Sequence, residues 1–133
     1  MKRTALPKAA LLITALLANG AALAYEPDKE AECKKPRFSD FNLTEYNATD
    51  NIQVSPEAEF FFKLPVTVDP STITLTAKKR PLEFTVESNS SFHKVKSKLP
   101  ASLTGQFVRI DASAKAILGC DNQHGWLVKI SGH

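Results

Sequence analysis

Glycine is scarce in this chain: five residues in 133, with Gly20 and Gly132 near the two ends. No cluster of them can form a loop that cradles phosphate, so phosphoryl chemistry has no support. Hydride and deaminase chemistry have none either. Histidine occurs three times, at His93, His124 and His133. No Gly-x-Ser-x-Gly is present, and no serine or cysteine sits in a motif that supplies an activating base. Paired carboxylates occur only in the acidic stretch of residues 25–32, where no pocket would hold them. Cysteine occurs twice, at Cys33 and Cys120, with no Cys-x-x-Cys spacing. That leaves little room for a redox or four-thiolate metal motif. The main apolar run, residues 9–18, is too short to span a bilayer as a retained helix. Long helical periodicity, internal repeats and low-complexity linkers are also missing.

That apolar run has a different meaning. Lys2, Arg3 and Lys8 surround its start, Asn19 and Gly20 break it, and Ala22 and Ala24 are small residues before a cut. This three-part pattern predicts a secretory signal peptide over residues 1–24. The whole chain carries 17 basic and 14 acidic residues. Loss of the three basic residues of the signal leaves basic and acidic residues equal at 14 each. A neutral domain lacks the basic footprint expected of a nucleic-acid binder. Export to the periplasm or beyond would expose the two cysteines to oxidising conditions, so a Cys33–Cys120 disulfide is expected.

The stretch over residues 58–86 carries the fold signal. Ile73, Leu75 and Ala77 alternate with Thr72, Thr74 and Thr76. Leu82, Phe84 and Val86 alternate with Glu83, Thr85 and Glu87. Period-two alternation marks strands with one buried face. The short Lys78-Lys79-Arg80 connector predicts that these two strands form one antiparallel hairpin. Asp69-Pro70-Ser71 reads as a turn before them. Further strands are expected at residues 52–54, 58–64, 92–99, 106–117 and 126–130. Val108, Ile110, Ala112, Ala114 and Ala116 should share an inner line, and Trp126, Val128 and Ile130 another. Residues 25–51 read as an acidic lead-in and irregular segment with room for one short strand, and residues 119–125 as a loop. Three Asn-x-Ser/Thr sequons, at Asn42, Asn47 and Asn89, matter only in a glycosylating host. Together these give an all-β antiparallel sandwich of about seven strands over residues 52–131.

The run SPEAEFFFKLPVTVDPSTITLTAKKRPLEFTV, residues 55–86, resembles bacterial immunoglobulin-like or fibronectin III-like modules. The resemblance implies an immunoglobulin-like sandwich serving in adhesion, docking or as an accessory domain. It transfers no catalytic residue. A Cys33–Cys120 bridge departs from the antibody-type bridge between two central strands.

Two functional leads remain. Lys94, Lys96 and Lys98 alternate along one strand and place three ammonium groups on one face. Such a row either protects an edge strand from pairing or, continued by Lys78, Lys79 and Arg80, offers a stripe to an anionic partner. Asp121 and His124, beside Trp126 and with His93 as a further candidate, could hold a metal, although a closed zinc site usually shows four ligands. The sequence therefore predicts an exported non-catalytic binding module without a cofactor. Its expected partner is another protein or envelope component, with neither nucleic acid nor a transmembrane segment in the mature chain. The alternative is a metal or small-ligand binder using residues 120–126, and a small hydrolase comes third.

Overall fold

In the computed structural model, residues 33–132 are described. The segment expected to be a signal peptide, residues 1–24, and most of the expected acidic lead-in lie outside them. Seven strands form among the described residues: β1 Glu59–Pro65, β2 Val68–Ala77, β3 Arg80–Pro81, β4 Phe84–Ser88, β5 Phe92–Lys98, β6 Phe107–Ala116 and β7 Asp121–Lys129. They make two antiparallel sheets, ordered β1-β5-β4 and β3-β2-β6-β7. No helix among the described residues is long and apolar enough to cross a membrane. The strand order is that of an immunoglobulin-type sandwich. β1, β4 and β5 occupy the B, D and E positions, and β2, β3, β6 and β7 the C, C′, F and G positions.

The inner faces follow the alternation in the sequence. Phe60, Phe62 and Leu64 of β1 are buried, as are Ile73, Leu75 and Ala77 of β2. On β6, Val108, Ile110, Ala112, Ala114 and Ala116 are all buried. On β7 the buried row is Trp126 and Val128, continued by Ile130. Leu82 and Phe84 are only half-buried against this core.

The hairpin at Lys78-Lys79 is real but short. Ala77 pairs with Arg80 and Thr76 with Pro81, and then the chain leaves for the other sheet. β4 pairs with β5, not with β2. Leu82 still donates its N–H to Leu75 C=O of β2, and Phe84 and Val86 then meet the core from the opposite side to Ile73, Leu75 and Ala77. The two turn residues have φ of 51° and 67°, the doubly positive geometry of a type I′ hairpin, which matches the right-handed twist of its strands. A side chain at left-handed φ is strained, and glycine is not. Lys79→Gly should therefore raise stability by about 0.5–1 kcal/mol, seen as a higher urea midpoint with unchanged slope. Lys78 is less suitable because its ammonium donates to Gln106 Oε1 at 2.6 Å.

Asp69-Pro70-Ser71 does turn, but inside β2, as an irregularity in the β2–β6 register between Asp69 and Thr74. The Ser71 hydroxyl and backbone N–H both donate to the Asp69 carboxylate. These bonds, the hydroxyl first, hold the Asp69 carboxyl below its usual range. Its stabilising share is present above the unfolded carboxylate pKa and fades as pH falls through the lowered folded value.

Residues 34–51 lack regular structure yet belong to the sandwich, whose compact unit begins at Lys34. The segment closes the side where the β1 and β7 edges lie open. Ser39 exchanges backbone bonds with Lys63, and the Asn42 side chain accepts from Phe61 N–H. Farther along, Tyr46 N–H donates to Leu127 C=O and Val54 N–H to Lys129 C=O. The strand expected at residues 52–54 is reduced to a single parallel bridge, Val54 to Ile130. Phe38 and Phe41 turn inward around Trp126. The Phe41 ring stacks on the indole at 4.4 Å, with Phe62 at 5.1 Å and Phe38 at 6.2 Å.

Cys33 and Cys120 are disulfide-bonded. Of the sequon asparagines, Asn42 caps the β1 edge as above. The Asn47 and Asn89 side chains accept backbone N–H groups two or three residues on, as turn-forming asparagines do.

Candidate functional site

β5 is the middle strand of the three-stranded sheet, so its lysines do not protect an edge. Lys94, Lys96 and Lys98 do share the outer face, because His93 and Val95 take the buried parity. Their neighbours come from the flanking strands. The register sets Lys98 opposite Glu59, Lys96 between Phe61 and Thr85, and Lys94 between Lys63 and Glu87.

Each ammonium is engaged. Lys96 Nζ lies 3.1 Å from Glu87 Oε2 and Lys98 Nζ 3.6 Å from Glu57 Oε1. Lys94 Nζ sits 4.2 Å above the Phe61 ring. Lys63 extends the pattern, 3.4 Å from Asp40 and 4.3 Å above the Phe92 ring. The face is thus a lattice of lysines, carboxylates and two half-buried phenylalanines rather than a bare cationic stripe. These ion pairs are solvent-exposed and contribute at most about 1 kcal/mol each.

A groove of about 1180 Å³ opens along this sheet, lined by Glu59, Phe61, Leu82, Phe84, Lys96 and Lys98 among others. Lys78, Lys79 and Arg80 do not continue the lysine row. Their hairpin belongs to the edge of the other sheet, and the chain reaches the groove only from Pro81 onward.

The residues expected to form a metal loop lie on β7, paired with Lys115 to Asp111 of β6. The connection between β6 and β7 is shorter than the sequence suggested, residues 117–120. Asp121 and His124 are three residues apart on an extended strand, so they project from opposite faces. His124 packs beside Trp126 at 4.9 Å and Phe38 at 6.1 Å, while Asp121 lines a separate hollow with Lys35 and Lys115. His93 belongs to β5 in the other sheet. Among the described residues, no three His, Cys, Asp or Glu side chains gather as metal ligands would.

Among the described residues, Ser88 Oγ and His93 Nδ1 lie 2.6 Å apart. His93 is buried, and its Nε2 has no hydrogen-bond partner. Among the described residues, no carboxylate is hydrogen-bonded to the ring, as the triad arrangement requires.

Comparison with family models, with curated proteins and with solved structures gave no match. Phe61, Glu57, Glu87 and Asp40 are the residues of this face that sequence reasoning missed. Phe61 and Glu87 left a signal, each on the outward parity of its strand.

Proposed function

We propose that the chain is an exported, non-catalytic binding module that contacts another protein through the outer face of β1-β5-β4. The observation that carries this reading is the groove on that face, where Lys96 and Lys98 meet Glu59 and the Phe61 ring. Aromatic area framed by charges of both signs suits a polypeptide surface better than a uniform polyanion. The pairing of the lysines with Glu57 and Glu87 turns the earlier idea of an anionic docking stripe into this mixed-charge one. The alternative, a metal or small ligand held at residues 120–126, has less behind it because Asp121 and His124 diverge. The isolated Ser88–His93 contact does not supply the parts of a hydrolase.

The test is a pull-down from periplasmic extract at low salt with the triple variant Lys94→Glu, Lys96→Glu, Lys98→Glu. The neutral Lys→Gln triple serves as a second variant that adds no repulsion with Glu57 and Glu87. Thermal melts should show both folded, because the pairs removed are exposed. The expected result is loss of the species captured by the wild-type chain, complete for the reversal and partial for the neutral triple. Equal capture by all three proteins would end this reading.

A further inference from the structure

Three turns and the first described residues gather at one end of the sandwich. β1–β2 turns through Val66 and Thr67, β4–β5 through residues 89–91, and β6–β7 through residues 117–120. Turns normally carry Gly, Asn, Asp, Ser or Pro, and residues 89–91 are Asn-Ser-Ser. The β6–β7 turn instead presents Ile117 and Leu118, which are 70% and 73% exposed, the most exposed of the large apolar residues. Val66, 41% exposed, lies on the adjoining turn, since Ile117 N–H donates to Thr67 C=O.

This tip is held, not loose. Ala116 N–H donates to Cys120 C=O, Gly119 N–H donates to Ala116 C=O, and Cys120 is tied by its disulfide. Gly119 sits at φ +107°, a conformation that side-chain-bearing residues rarely adopt. The backbone therefore fixes Ile117 and Leu118 outward, where a turn built only for solubility would carry polar groups. Single exposed apolar residues are ordinary, but a contiguous rigid set is not.

The surroundings indicate what covers it. Lys34, Lys35, Arg37 and Lys115 are all exposed. The Lys34 carbonyl lies 3.0 Å from Cys120 Sγ, the Asn122 amide donates to Pro36 C=O, and Lys115 pairs with Asp121 across the turn. Lys34, Lys35 and Lys115 thus stand beside the apolar tip, against the carboxylates of Asp69 and Asp121. Bulky apolar side chains projecting beyond a cationic collar match the layering of an anionic bilayer, with acyl chains below charged headgroups.

We infer that the Val66–Ile117–Leu118 tip inserts shallowly into an anionic lipid surface, with Lys34, Lys35 and Lys115 against the headgroups. This placement is independent of the outer-face reading.

The experiment uses the full chain with an indole introduced at the tip, Leu118→Trp, and a control at the opposite end, Ser102→Trp. Ser102 is exposed in the short 3-10 turn Ala101–Leu103. Both are mixed with vesicles of phosphatidylglycerol brominated on the acyl chain, and emission is compared with the parent protein, whose Trp126 is buried. Residues 1–32 are the same in both variants, so any effect of that segment is shared. The expected result is a blue shift and strong quenching for Leu118→Trp, with Ser102→Trp unchanged. Adding Lys34→Gln and Lys35→Gln should weaken vesicle partitioning about fivefold per lysine. An unquenched indole at position 118 would overturn the inference and leave the tip to a protein partner. Equal quenching at both positions, or equal quenching by brominated phosphatidylcholine, would overturn it as well.

Discussion

Trp126→Ala should lower the stability of the domain by about 3–5 kcal/mol, a drop in melting temperature of roughly 15–25 °C at this size. The indole is 4% exposed and fills the space between β7, β1 and the N-terminal segment. Phe41 stacks on it nearly parallel, at an interplanar angle of 9°, and Phe62 and Phe38 close its other sides. Alanine would leave a cavity walled by rings anchored on different elements, which cannot all move inward together. Each aromatic pair adds about 0.5–1.5 kcal/mol beyond buried area. Phe41→Ala should cost less, because Phe41 is half-buried and its segment is irregular. Urea denaturation of the three proteins checks this. A loss below about 1 kcal/mol for Trp126→Ala, far under the usual cost of a buried tryptophan, would mean that the segment does not depend on the indole.

Removing the disulfide should have an effect of similar size. The Cys33–Cys120 bridge closes a loop over most of the described chain. Confining so long a loop in the unfolded state stabilises the fold by about 4–5 kcal/mol on the loop-entropy relation. Cys33→Ala with Cys120→Ala should therefore unfold at a much lower urea concentration than the oxidised parent. The parent treated with reductant should approach the double variant. Protein from an oxidising compartment should resist thiol alkylation until it is reduced. Quantitative alkylation of both cysteines without reductant, or coincident urea curves, would contradict the bridge and its assigned weight.

The strands were legible because alternation is a local property. Ile73, Leu75 and Ala77, and the line from Val108 to Ala116, declare their buried parity without reference to any neighbour. Parity does not say which sheet a strand joins. Phe84 and Val86 alternate correctly and face the same core, yet from the other sheet, so the expected hairpin holds only as far as Leu82. The start of β7 was hidden for a related reason. Asn122 and His124 take the inward parity but are met by residues 36–38 of the N-terminal segment rather than by an apolar strand. Their polarity reads as loop. Phe38 and Phe41 were illegible as core because they cover the open side of the sandwich from an irregular chain, which imposes no period. The lysine row was visible, but not its partners: Glu57, Glu87 and Phe61 reach it only through the β1-β5-β4 register.

Site-specific photocrosslinking reads out whether the outer face of β1-β5-β4 is the contact surface. A benzophenone amino acid at Thr85, exposed on that face and lining the groove, would be compared with one at Thr74, exposed on the outer face of the other sheet. Both proteins would be irradiated in an exporting host. A discrete higher-mass adduct is expected from the Thr85 position and none from Thr74. An adduct from Thr74 with none from Thr85 would contradict it.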